Sequence, residues 1–160
     1  MKTRTAVVSL ALFVAMTHAA PVSSPQIRVT PGEVDSMQAH DAEAGTSGVR
    51  GIRTTVVAGD PSQPGSYTIR LSIPANTRIQ AHTHRDNRTA VVVAGTWYFG
   101  YGNVAAAAAE KALPAGSFYT EPGGVAHFAE TKDSPVLVYI TGSGPTDTVY
   151  VGQGSEPGAR

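Results

Sequence analysis

Three histidines carry most of the chemistry open to this sequence. His82 and His84 stand two residues apart, and His127 follows much later in the chain. Imidazole is the commonest protein ligand for zinc, copper, iron and nickel. Two residues apart on a strand, side chains leave the same face with Cα atoms about 6.6 Å apart. Both rings can then meet one ion at about 2.0–2.1 Å per bond. An H-x-H pair taken alone describes two surface histidines equally well. The other two of the five histidines lie elsewhere: His18 in an N-terminal leader, His40 in a polar arm. The chain has no cysteine, so disulfides, thiolate metal sites and cysteine nucleophiles are excluded. No Gly-x-Ser-x-Gly elbow occurs, and no Lys-Ser/Thr follows the glycines at 142–145. An α/β-hydrolase and a phosphate loop are therefore unsupported.

The elements that must position these residues read as strands. Tyr67, Ile69, Leu71 and Ile73 alternate with Ser66, Thr68, Arg70 and Ser72, the pattern of a half-buried strand. Segments 52–58, 89–94, 96–101, 117–121, 126–130, 135–141 and 148–151 read likewise. Turn residues separate them at 59–61, 74–76, 114–116, 122–124 and 142–145. Short strands at near-regular spacing predict an all-β sandwich or barrel. The alanine run at 105–109 predicts a short connecting helix over 104–113, on the outside of the barrel. Residues 20–50 are polar and rich in Ser, Pro, Gly and Asp. They predict a flexible N-terminal arm, with one short strand around Ile27 to Val29. The barrel itself is expected over 51–152, as one domain, and 153–160 as a tail.

The first residues read as an address. Lys2 and Arg4 precede an apolar run from Ala6 to Met16, and Thr17-His18-Ala19 supplies small residues at a cleavage site. The run is shorter than the roughly 20 residues a membrane span needs. Residues 1–19 are expected to be a secretory signal, and the protein to be periplasmic or secreted, with no membrane attachment after cleavage. The full chain carries 12 basic and 12 acidic residues; without Lys2 and Arg4 it has 10 against 12. That balance argues against nucleic acid as a partner and against a polybasic membrane patch.

The spacing of the glycines and histidines resembles the two motifs of the cupin superfamily. The second motif, Gly, P-x-G and His, fits at Gly116, Pro122, Gly124 and His127; the first fits at His82, His84 and Gly95. The likeness covers roughly 50–152. The stretch also resembles a small subgroup of bacterial single-domain cupins of unassigned activity, which share G-T-W-Y-F-G-Y-G (here 95–102) and P-A-G-S-F-Y-T-E-P (here 114–122). The resemblance implies a single jelly-roll barrel, the RmlC-like double-stranded β-helix. It also implies a metal held inside the barrel by His82, His84 and His127, and a homodimer.

The sequence departs from the pattern in three places. Asn76 replaces the first motif's opening glycine, and Asn tolerates left-handed backbone best among the rest. Thr131 replaces the second motif's asparagine. Arg88 stands where a ligating glutamate is usual, and a guanidinium cannot ligate. A guanidinium beside a divalent ion also needs an anion between them. Three arrangements answer this. Glu121 can turn inward, as fourth ligand or as partner of Arg88. Arg88 can bind a substrate carboxylate. Arg88 can instead fold outward to Asp86. Among the aromatics, parity puts Trp97, Phe99 and Tyr101 on one face and Tyr98 on the other. Most of them are expected to pack the core, with Tyr98 or Tyr119 a candidate to reach the cavity as a proton-transfer group. Arg70 and Arg78 read as solvated strand faces.

Cupins with a histidine triad include dioxygenases, isomerases, decarboxylases and hydrolases. The resemblance therefore implies a metal-dependent enzyme acting on a small molecule, foremost an oxidoreductase of the dioxygenase type. The metal is expected to be divalent iron, manganese, zinc, nickel or copper. Glu121, Arg88, Tyr98 and Tyr119 are the candidate catalytic residues, and Glu121 is also a candidate ligand. The alternative is a non-catalytic cupin that binds or senses a small ligand, with or without metal.

Overall fold

The computed structural model describes residues 25–41, 44–152 and 154–157. The leader expected over 1–19, with His18, lies outside them. Eleven strands follow one short helix. They are β1 (Ala39–His40), β2 (Arg53–Ala58), β3 (Gly65–Ile73), β4 (Arg78–Thr83), β5 (Arg88–Ala94), β6 (Thr96–Tyr101), β7 (Glu110–Pro114), β8 (Phe118–Glu121), β9 (His127–Glu130), β10 (Val136–Gly144) and β11 (Val149–Tyr150). One sheet has six strands in the order β1-β2-β3-β10-β5-β8, the other five in the order β11-β4-β9-β6-β7. Every described pairing is antiparallel. The fold is the expected all-β jelly roll.

Alternation builds its interior. Tyr67, Ile69, Leu71 and Ile73 of β3 are buried, as are Val136, Val138 and Ile140 of β10 beside them. They join Ile79, Trp97, Phe99 and Ala129 of the second sheet in one apolar core. Removing this apolar area from water is the main stabilising contribution. Among the described residues, no helix is long and apolar enough to cross a membrane.

The glycine turns hold the sheets in register. Gly95 has φ +77° where β5 passes into β6, and a Cβ there would meet the Pro135 carbonyl oxygen. Gly95→Ala is therefore expected to cost about 2 kcal/mol or more, read as a lowered urea midpoint. Asn76, with φ 54°, is the one non-glycine residue with positive φ among those described, so asparagine does take the left-handed turn. Thr131, in place of the motif's asparagine, ties that turn down. Its hydroxyl donates to Pro74 O (2.6 Å) and accepts from Thr77 N–H (2.9 Å).

Three expectations need correction. The helix over 104–113 is not formed: a 3-10 turn at Ala107–Ala109 leads into β7. The alanine run is too short to nucleate a helix alone. Pairing with β6 and burial of Leu113 opposite Trp97 give the strand instead. Ile27 and Val29 are exposed and form no strand. The α-helix of the fold lies further on, as α1 (Pro31–Asp35), in the stretch read as an arm. Its signals are local: Thr30 caps it, Pro31 opens it, and Glu33 returns to the Thr30 amide at 2.6 Å. Val34 buries, and Asp35 meets Arg70 Nη1 at 2.6 Å. Arg70 is therefore buried beneath α1 rather than solvated, whereas Arg78 stays on the surface, 3.7 Å from Glu130.

Candidate metal centre

β4 delivers His82, and His84 follows just past its end. The pairing of β4 with β9 shifts register between Ile79 and His82. In an unbroken strand, residues three apart face opposite sides. The irregularity re-aims the strand, so that Ile79, His82 and His84 all line the same central cavity. His127 opens β9 directly opposite His82. The three rings stand 4.4–5.1 Å apart, centre to centre, and all three residues are buried.

Each ring is oriented from behind by a main-chain carbonyl. His82 Nδ1 meets Gln80 O at 2.7 Å, His84 Nδ1 meets Asp147 O at 2.5 Å, and His127 Nδ1 meets Val125 O at 3.1 Å. A carbonyl only accepts, so Nδ1 carries the proton in each ring and Nε2 keeps its lone pair. This is the outer-shell arrangement that prepares imidazoles for a metal. One ring nitrogen from each histidine lies within 4.8 Å of the others. Three ligands of a tetrahedral ion sit about 3.4 Å apart, so a modest inward movement completes the set. His127 Nε2 is buried without a hydrogen-bond partner. A divalent ion would satisfy that orphaned lone pair, and the donor set fits such an ion.

Burial keeps the rings neutral. It lowers His82 to about 4, with His127 adding to the effect, and lowers His84 to about 2, with Arg88 adding to it. His127 is lowered by burial as well. Protons therefore bind the unfolded chain first as pH falls. The metal-free protein should be fully stable above about pH 6.5 and lose stability as pH drops towards 4, seen as a falling melting temperature across that window.

Arg88 and Glu121 are the second feature of the site. They face each other directly across β5 and β8. Arg88 Nε donates to Glu121 Oε2 at 2.5 Å, and Nη2 contacts the same oxygen. Both are buried in the cavity wall. Burial pushes Glu121 up, but Arg88 prevails and holds it well below the usual carboxylate range. Glu121 Oε2 lies 3.8 Å from both His84 Nε2 and His127 Nε2. Arg88 Nη2 also donates to His84 Nε2 at 2.6 Å. An ion can take that nitrogen only if the guanidinium lets go of it. Arg88 does not fold out to Asp86, which instead accepts from Tyr67 (2.8 Å) and Thr146 (2.6 Å).

Tyr119 lines the cavity, and burial raises its hydroxyl far above the usual range. Tyr98 does not join it. Its ring lies under Lys132 Nζ (3.9 Å), at a surface dent beside Gly95 and Thr96. Trp97 and Phe99 complete the wall, as their parity allowed. The space inside is about 20 Å³ open to the centre of a water molecule, room for one water or one ion.

Sequence reading missed the cover. Gly45 and Ser47 reach the cavity from the polar stretch before β2. Thr148 Oγ1 donates to Thr46 O (2.9 Å) and Tyr150 OH to Ser47 O (2.6 Å), pinning this strap. No local pattern marks a Gly-Thr-Ser segment as a cover. Asp147, whose carbonyl orients His84, is equally silent in sequence. Tyr150→Phe removes one of the two pins. It should cost about 1 kcal/mol in unfolding and speed metal loss to a chelator several-fold.

No family model and no curated protein matches the sequence. Solved structures do match. The polyketide cyclase RemF from Streptomyces resistomycificus superposes with a TM-score of 0.65 at 12% identity, over 83% of this chain and 90% of that one. The DMSP lyase DddQ from Ruegeria pomeroyi gives 0.60 at 16%, over 82% and 84%. An RmlC-like cupin from Shewanella frigidimarina gives 0.54 at 15%, over 75% and 92%. With two antiparallel sheets rolled around buried histidines from β4 and β9, this chain has the fold of the cupin superfamily.

Proposed function

We propose that the protein is an exported, metal-dependent enzyme acting on a small organic molecule, with oxygenase-type chemistry at His82, His84 and His127. One observation carries the reading: three buried, neutral imidazoles, each fixed through Nδ1 by a main-chain carbonyl, with the His127 lone pair unanswered. A redox-active divalent ion, when bound, supplies Lewis acidity and a place for dioxygen beside the substrate. The chain's own groups do the rest. Trp97, Phe99 and Tyr119 exclude water, and Arg88 neutralises Glu121. Tyr119 keeps its proton, so it is a hydrogen-bond donor rather than a base. With Glu121 paired and Tyr119 neutral, neither of these two side chains is placed as a general base. That favours chemistry between metal, oxygen and substrate over proton abstraction by the protein. The lyase and the cyclase among the structural neighbours mark the range of the fold and do not choose a reaction.

Export is supported by the leader pattern of the sequence, and N-terminal sequencing of the mature protein tests it. A homodimer belongs to the same reading and is tested by light scattering. For the activity, the protein is purified without chelators or a histidine tag and its metal measured. Oxygen uptake is then followed with diketones, catechols and flavonols. About one equivalent of iron, manganese, nickel or copper, with uptake on one of these classes, is the expected result. Metal without turnover on any of them would sink the oxygenase assignment. A second reading, a non-catalytic binding or sensing barrel, is favoured by the hydrogen bond from Arg88 to His84, which occupies one ligand position. Protein that takes up no metal would support it.

A further inference from the structure

We propose that the cavity holds a subsite for a small carboxylate, received by Arg88 Nη1 at one oxygen and directed at the histidine cluster by the other. The proposal rests on the metal reading above and names its substrate class. Nε and Nη2 of Arg88 are committed to Glu121, and Nη2 also to His84. Nη1 is buried and has no partner. A guanidinium N–H can be satisfied only by an acceptor, never by a metal ion. His127 Nε2, in the same cavity, is unpartnered in the opposite sense: it is a lone pair open to a hydrogen-bond donor or to a cation. A metal ion on the lone pair with an oxyanion on the N–H satisfies both.

Charge leads to the same ligand. Arg88 and Glu121 cancel each other, and imidazole binds a metal ion as a neutral ligand. A divalent ion would leave two uncompensated positive charges in a water-poor pocket, an expensive state unless an anion enters with it. A carboxylate oxygen on Nη1 makes a charge-assisted hydrogen bond, and the second oxygen is left for the ion. The volume limits the remainder. About 20 Å³ is filled by one ion or one water, so a carboxylate beside the ion must lift the strap at Gly45 and Ser47, which is held through Thr148 and Tyr150.

The test loads the protein with Co²⁺ and titrates pyruvate and malonate against their uncharged amides. Cobalt absorption bands and melting temperature are both read. The carboxylates should shift the bands and raise the melting temperature, and the amides should do neither. The paired variant Arg88→Met/Glu121→Met removes both charges together. It should keep Co²⁺ and lose at least tenfold in carboxylate affinity. Arg88→Lys, which preserves the ion pair, should show the same loss if the paired variant folds poorly. Equal binding of amides and acids, or undiminished carboxylate affinity in these variants, overturns the proposal. If the wild type takes up no Co²⁺, the metal reading fails by itself. Melting curves of the metal-free protein then decide the subsite. Carboxylate protection of the wild type but not of the variants upholds it, and no protection overturns it.

Discussion

Glu121→Ala should destabilise the protein by about 3–5 kcal/mol, while Arg88→Met/Glu121→Leu should recover most of that loss. The expectation follows from burial and pairing. Glu121 is 3% exposed and Arg88 4%, and they are cross-strand partners on β5 and β8. Both are shielded from bulk solvent. Removing the carboxylate alone leaves a buried guanidinium whose Nη1 already lacks a partner. Removing both charges leaves an apolar wall against Trp97 and Phe99, which a barrel interior tolerates. Urea midpoints of the wild type, the two single variants and the pair give the coupling between them. The single variant should melt roughly 10 °C lower or more. A pair as unstable as the worse single would show that the two residues do not compensate each other, and that the cavity wall has another support.

His127→Ala should abolish high-affinity metal uptake, weakening it by about 100-fold or more. Loss of outer-shell support alone costs about 10–100-fold at metal sites, and loss of one of three protein ligands costs at least as much. His127 stands opposite His82, and its Nε2 is fully buried without a hydrogen-bond partner. His40→Ala, on β1 outside the cluster, should leave uptake unchanged and serves as the control. Zn²⁺ or Co²⁺ titration calorimetry, with the melting temperature of the metal-free variants as a folding check, reads the difference. Equal affinity in the wild type and His127→Ala would remove the cluster from metal chemistry.

Much of the molecule was legible in sequence because the signals are local. Period-two alternation placed β2, β3, β5, β6 and β8 to β11, since side chains of successive strand residues face opposite sides whatever the fold. Gly95, Gly116 and Gly124 marked turns because positive φ is cheap only for glycine, and all three have it. His82, His84 and His127 were legible through their spacing with those glycines.

Other features were decided by partners distant in sequence. The alanine run favoured a helix until β6 offered a pairing edge to β7. Arg88 had three open destinations in sequence; the register of β5 against β8 set Glu121 across from it and excluded Asp86. Arg70 read as solvated because nothing near it in sequence announces that α1 will lie on top. The register shift in β4 is the sharpest case. Local alternation runs continuously through Ile79 and His82, and only pairing with β9 interrupts it and brings both onto the cavity. Composition and spacing thus determined which residues could meet. Strand register, which depends on the free energy of the whole sheet rather than on any one segment, decided which of them do.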